Sequence, residues 1–190
     1  RNPIHRAHEY IQLKAMQLVN ADGIFINPVI GPKKSGDFTP EIVLKSYQTM
    51  IDNGIYSSNH FLLAGFNTYS RFSGPREAVF TAICRKNMGC THFIIGRDHT
   101  GFGDYYEKDA TKKYFDQIND IGIEPIFFDT VGFDKELGEF IEEKSSKSKI
   151  ETISGSKIRG AINESKELPN WYMREEIIQM IISHDGKKFF

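Results

Sequence analysis

The chain has 190 residues, 39% of them hydrophobic and 26% charged, with a net charge of −1 and a pI near 6.7. That length suits one domain with a sizeable core, and the balance excludes an intrinsically disordered polypeptide. Near-neutrality excludes bulk electrostatic capture of nucleic acid or of a membrane, so any anion has to be held at a local site.

No apolar run reaches the ~18–20 residues that span a bilayer, and no signal-peptide pattern opens the chain. The two cysteines, Cys84 and Cys90, are too few for a disulfide framework. They read as small buried hydrophobes in a reducing cytoplasm.

Ile11, Ala15, Leu18 and Val19 recur at helical spacing, so residues 6 to 20 are expected as an amphipathic helix. Gly23-Ile24-Phe25-Ile26-Asn27 then reads as a buried strand, and residues 31 to 40 as a loop rich in Gly, Pro and Lys. Thr39-Pro40-Glu41 opens a second helix that carries Val43, Tyr47, Met50 and Ile51 on one face.

Phe61 to Ala64 is the next strand, and Gly74-Pro75 opens a helix whose inner face holds Ala78, Val79, Ala82 and Ile83. His92 to Ile95 forms a third strand. A helix near 109 to 120 leads through Gly122 to a fourth strand around Pro125 to Phe128. Short apolar strands alternating with amphipathic helices predict a Rossmann-like α/β fold, an open parallel sheet with helices on both faces.

The pattern changes after Asp129. Residues 134 to 149 are highly charged and are expected as a mobile surface loop. A short helix through Ile158 and Ile162 follows, then one carrying Ile177, Ile178, Ile181 and Ile182. The expected division is therefore a catalytic domain over 1–129 and a small, mainly helical C-terminal subdomain over 130–190.

Ligands of open α/β sheets bind beyond the C-terminal ends of the strands. Two polar clusters are expected to meet there. The first is Arg1-Asn2-Pro3-Ile4-His5-Arg6-Ala7-His8, at the start of the first helix. His5 and His8, three apart, project from one face, where free N–H groups and the helix dipole already favour phosphate. The guanidinium of Arg1 is suited to clamping an oxyanion. Two other readings of the histidines stay open at this point: half of a zinc site, although metal spacing on a helix more often runs i, i+4, or ordinary surface and capping residues.

The second cluster is Gly96-Arg97-Asp98-His99-Thr100-Gly101-Phe102-Gly103, directly after a strongly apolar strand. Its three glycines allow close backbone approach to a ligand, and Arg97 and His99 add positive donors. A bland Gly-rich turn is the alternative.

RNPIHRAHEY resembles the ATP-sulfurylase form of the HxGH-type nucleotidyltransferase motif. SGPREA, RKNMGCTHFIIGRDHTGFGDYY and ISGSKIR resemble further motifs of that family, in the same order and over nearly the whole chain. The resemblance implies in-line attack of sulfate on the α-phosphorus of ATP, giving adenosine 5′-phosphosulfate and pyrophosphate, or the reverse.

It further implies sulfate at Arg1, nucleotide phosphates at Asn2, and charge stabilisation by His5 and His8. Gly96, Arg97, Asp98 and His99 would line the ATP site, Thr100 would offer its backbone N–H to sulfate, and Asp129 would lie against the nucleotide. Mg²⁺ would arrive as Mg-ATP rather than in a protein cage. Homo-oligomers are common in the family.

The chain also departs from the family pattern. It opens at Arg1, inside the motif, without the Gln-Thr that usually precedes it, the strand that carries that pair (the sheet's first) or the family's N-terminal PUA-like domain, which points to a processed or partial polypeptide. Val43 stands where many relatives carry Arg. Residues 130 to 152 contain no Cys or His, so the structural zinc of some relatives is not expected. A different oxyanion substrate and a non-catalytic nucleotide-binding domain are the remaining functional alternatives; loss of the two histidines would mark the latter, and both are present.

Overall fold

The computed structural model describes residues 2–96, 105–107 and 109–190. Thr39 caps the N-terminus of a helix over Pro40–Asp52 (α2), accepting from the N–H of Ile42, while Pro40 supplies the preset φ of the first turn. The helix before it spans Arg6–Leu18 (α1). Between them lies the strand Ile24–Ile26 (β1), which pairs in parallel with Phe61–Leu63 (β2) in the register Ile24↔Phe61.

A third helix, Pro75–Asn87 (α3), leads to the strand His92–Ile95 (β3). A fourth helix, Ala110–Gln117 (α4), leads to Glu124–Phe127 (β4). These strands also pair in parallel, His92 opposite Glu124. The α/β alternation read from the sequence is therefore present, with the strands in two parallel pairs.

The main core lies where α2 packs on β2 and on the last helix, Glu175–Ile182 (α6). Phe38, Ile42, Val43, Met50, Ile158, Ile177 and Ile181 are all buried to 1% exposure or less. Each such side chain contributes about 1.5–3 kcal/mol by leaving water. Tyr56 stacks on Phe61 at 4.0 Å and donates its hydroxyl to Gln12 Oε1 at 2.6 Å, which satisfies its one polar atom in the core. Burial pushes Tyr56 far above the usual phenol range and Tyr47 up to about 12.

Three expectations need correction. The charged stretch after Asp129 is not a loose loop. Val131–Asp134 (β5) and Glu139–Glu142 (β6) form an antiparallel hairpin, followed by a 3₁₀ turn over Glu143–Ser145. Asp134, only 1% exposed, explains the order: it accepts from the hydroxyls of Ser146 (2.6 Å) and Ser148 (2.8 Å) and from the N–H groups of Glu136 and Leu137. Ser146 and Ser148 thus satisfy a buried carboxylate, whose pKa they hold down.

Helical faces were also read too broadly. Leu18, Ile83 and Ile182 are 58%, 38% and 54% exposed; Leu18 and Ile182 are the last residues of α1 and α6. Finally, Cys84 and Cys90 are free and only partly buried. Burial nevertheless raises the Cys90 thiol, with Arg85 acting in the opposite sense.

α1 is held by charge as well as packing. Glu9, 8% exposed, receives Arg6 Nη1 at 3.0 and 3.1 Å and Arg174 Nε and Nη2 at 3.0 and 2.6 Å. Arg174 is the N-cap residue of α6, so one carboxylate ties the first helix to the last.

Candidate active site at the start of the first helix

Residues 2 to 5 lead into α1, and hydrogen bonds hold Asn2, Ile4 and His5 in place. The N–H of Ile4 donates to Ser46 Oγ at 3.1 Å, and that hydroxyl donates on to the carbonyl of Val43 at 2.7 Å. Ile4 itself is 1% exposed in the main core. The segment is thus fixed to α2 at Ile4, between the candidate side chains of Asn2 and His5.

His5 is the N-cap of α1, with an extended backbone, and its Nδ1 accepts from the N–H of His8 at 3.4 Å. The expectation of two histidines on one helical face becomes a closer arrangement. Their rings stack with centroids 3.6 Å apart and planes 18° from parallel. Burial lowers both pKa values: His5 falls well below 6.5, helped by its His8 neighbour, and His8 falls to about 4. At neutral pH the rings are a neutral pair. His8 Nδ1 is buried without a hydrogen-bond partner among the described residues, a polar atom in need of one.

Asn2 is positioned from the far end of the sequence. Its Oδ1 accepts from Arg159 Nη1 at 2.9 Å, and Arg159 also approaches Asp37 Oδ1 at 3.8 Å and Ser156 Oγ at 3.3 Å. Arg159 lies on a helix over Gly155–Asn163 (α5), capped by Ser154, whose Oγ accepts from the N–H of Lys157. A Cβ at Gly155 would sit 2.5 Å from Asn2 Nδ2, so glycine there lets the two segments touch.

Arg159, Asp37 and Gly155 were not singled out as site residues from sequence. The signal was available for two of them, since Gly155 and Arg159 belong to the ISGSKIR motif. Asp37 lay hidden in the segment read as a plain loop.

Gly96 and Asp129 come together at the end of the β3/β4 pair. Phe128 donates its N–H to the carbonyl of Ile95 at 2.9 Å, so the residues that follow leave the same edge side by side. Asp129 accepts from the N–H of Thr130 at 2.7 Å and donates its own N–H to Glu142 Oε2 at 3.0 Å. Ala7 and Ala15 of α1 share a small buried cluster with Phe128 and Val131, so α1 packs beside the segment that follows β4. Arg1, Arg97, Asp98, His99 and Thr100 lie outside the described residues. Val43, where many relatives carry Arg, is 1% exposed and belongs to the main core.

The donor set near α1 is two imidazoles, an amide, a guanidinium and helix N–H groups. That chemistry suits a polyphosphate rather than a bare cation. Among the described residues, no three His, Cys, Asp or Glu side chains gather as a metal site.

A family model for ATP-sulfurylase matches residues 1–184. The chain belongs to the ATP-sulfurylase family.

It is 39% identical over 187 residues to a sulfate adenylyltransferase of Halothermothrix orenii, covering 96% of this chain and 48% of that protein. It is 41% identical over 186 residues to one from Staphylothermus marinus, with coverages of 96% and 48%. It is 40% identical over 190 residues to one from Pyrococcus abyssi, with coverages of 98% and 49%. The chain spans about half the length of the curated relatives it matches. Among solved structures, a hexameric APS kinase from Thiobacillus denitrificans superposes with a TM-score of 0.70 at 19% identity, over 94% of this chain and 33% of that one. At that identity the likeness concerns the fold.

Proposed function

We propose that the chain carries the nucleotidyl-transfer site of a sulfate adenylyltransferase, converting ATP and sulfate into adenosine 5′-phosphosulfate and pyrophosphate, or the reverse. The observation that carries this reading is the neutral, stacked His5–His8 pair at the N-terminus of α1, with His8 Nδ1 unpartnered and Asn2 fixed beside it by Arg159.

In this reading a sulfate oxygen attacks the α-phosphorus in line, the bond to the bridging oxygen breaks, and the electron pair leaves with pyrophosphate. No covalent intermediate with the protein is needed, so positioning and charge stabilisation do the catalytic work. Asn2 holds phosphate oxygens through its amide N–H groups, because its carbonyl is already committed to Arg159. His5 and His8 donate to the oxygens on which charge accumulates between the α- and β-phosphorus. A polyphosphate beside two uncharged imidazoles raises their pKa values, so protonation is coupled to binding.

Arg1 and the backbone of Thr100 are assigned to sulfate. Gly96, Arg97, Asp98, His99 and Asp129 are assigned to ATP. Mg²⁺ would enter on the phosphates and neutralise part of their charge. The setting is cytoplasmic, and the whole protein self-associates. That no helix among the described residues is long and apolar enough to cross a membrane accords with this setting.

The test is sulfate- and Mg-ATP-dependent pyrophosphate release by the full-length protein, with pyrophosphatase present to pull the reaction forward. Activity with sulfate that collapses in His8→Ala, without loss of folding, supports the assignment. Nucleotide binding with no turnover on any oxyanion would instead make the domain regulatory.

A further inference from the structure

The loop between β1 and α2 brings a carboxylate up to the residues that hold Asn2. Residues 34–37 form a tight turn, closed by the N–H of Asp37 donating to the carbonyl of Lys34 at 3.0 Å. Its third residue, Gly36, has φ +82°, a left-handed conformation that glycine adopts without strain. The turn delivers Asp37, 6% exposed, to α5, where its Oδ1 lies 3.8 Å from Arg159 Nη1.

The backbone around that carboxylate is held by a segment far along the chain. Gly36 donates its N–H to the carbonyl of Phe190 at 2.9 Å, and Phe190 donates back to the carbonyl of Asp37 at 3.0 Å. Phe38 and Phe189 form an antiparallel bridge, with ring centroids 4.7 Å apart and Phe38 fully buried. Thr39 donates its N–H to the carbonyl of Lys188 at 3.0 Å and its hydroxyl to that of Lys187 at 3.2 Å. Residues 187–190 are thus a strap across residues 36–39, and both backbone polar groups of Asp37 are bonded.

Arg159 stands between this carboxylate and the site. Its Nη1 donates to Asn2 Oδ1 at 2.9 Å and faces Asp37, while its Nη2 reaches Ser156 Oγ at 3.3 Å. The neighbouring Ile158, fully buried, anchors α5 in the main core. A carboxamide has two ends of nearly equal shape, one accepting and one donating. A guanidinium only donates, so it takes the Asn2 carbonyl and leaves the NH₂ for an acceptor. Arginine itself has many rotamers, and a buried carboxylate beside it selects one.

Taking Asn2 as the phosphate contact assigned above, we propose that Asp37 is a positioning residue for the nucleotide site. Through Arg159 it fixes which end of the Asn2 amide meets the phosphates, and the strap of residues 187–190 fixes Asp37. Without the Asp37 charge, Arg159 loses its preferred rotamer and the Asn2 amide takes both orientations. In one of them a carbonyl oxygen is set against a phosphate oxygen, which repels it. Sulfate, assigned to Arg1 and Thr100, does not depend on this relay.

The test is sulfate- and Mg-ATP-dependent pyrophosphate release by the full-length protein. Asp37→Asn is expected to raise KM for Mg-ATP about tenfold and to leave KM for sulfate within about twofold of wild type. A lower kcat at unchanged KM values is the mark of lost folded protein, and that result overturns the proposal. An equal rise in both KM values does so too. In an Asn2→Ala background, Asp37→Asn should add less than about a twofold further rise, because the relay has nothing left to position. A full additional tenfold there would also refute it.

Phe189→Ala leaves Asp37 in place and loosens the strap, and it serves as well where Asp37→Asn does not fold. The amides of Gly36, Thr39 and Phe190 should exchange about tenfold faster, with KM for Mg-ATP raised about threefold. Faster exchange at an unmoved KM removes the strap from the relay. Wild-type protein without turnover on sulfate counts against the nucleotidyl-transfer reading itself. Mg-ATP affinity by calorimetry then tests the relay separately: it should still fall about tenfold in Asp37→Asn, and equal affinities overturn the role of Asp37.

Discussion

Glu9→Gln tests how the first helix, and with it the histidine pair, is held. The Glu9 carboxylate takes four contacts from two guanidinium groups, at 2.6 to 3.1 Å, and Arg174 doubles as the N-cap of α6. Glutamine keeps one acceptor oxygen but turns an NH₂ toward a guanidinium and removes the charge. Breaking a fully buried pair costs about 3–5 kcal/mol. Here the Arg6 and Arg174 side chains are 34% and 30% exposed, so water takes over part of their solvation. We expect a loss of about 2–3 kcal/mol.

At about 2–4 °C per kcal/mol for a chain of this size, Tm should fall by roughly 4–12 °C. Urea unfolding should show a lower midpoint at unchanged slope. A double-mutant cycle with Arg174→Met should return a coupling of about 1.5–2 kcal/mol. Coupling under about 0.5 kcal/mol, or a Glu9→Gln loss under about 1 kcal/mol, would refute the view that this carboxylate ties α1 to α6.

The histidines give a pH signature. Because burial lowers His5 and His8, the latter to about 4, while the unfolded chain protonates near 6.5, stability should be full above pH 6.5. It should decline as pH falls from 6.5 toward 4, by up to about 1.4 kcal/mol per pH unit per histidine; a flat urea midpoint across that window in wild type would contradict it. Pyrophosphate binding should take up protons, seen by calorimetry in buffers of different ionisation enthalpy, and a proton-neutral binding event would remove the proposed histidine–phosphate contact. Gly155→Ala places a methyl 2.5 Å from Asn2 Nδ2, so kcat/KM for pyrophosphate release should drop about 10- to 100-fold. Stability should change little, because alanine suits a first helical turn; unaltered kinetics would show that Asn2 needs no fixed position. Ile158→Ala, at 0% exposure, should cost about 2–5 kcal/mol in urea unfolding, and a loss below 1 would mean that α5 is not anchored through the core.

Local chemistry determined a great deal by itself. Apolar strands and amphipathic helices in strict alternation fixed the α/β class, and Thr39-Pro40 and Gly74-Pro75 set the starts of α2 and α3 because a cap or a preset φ acts within a few residues. The motif around His5 and His8 marks the candidate site, and the three-residue spacing at the start of α1 is compatible with the stacked rings.

Tertiary structure decided what depends on distant partners. Only folding shows that Arg159 reaches Asn2 across 157 positions, or that Arg174 reaches Glu9 across 165. Likewise only the folded hairpin reveals that the serines after Lys144 satisfy buried Asp134. Hydropathy reads each residue against its neighbours in sequence, whereas the free energy of a buried charge is set by whatever the fold brings within hydrogen-bonding distance.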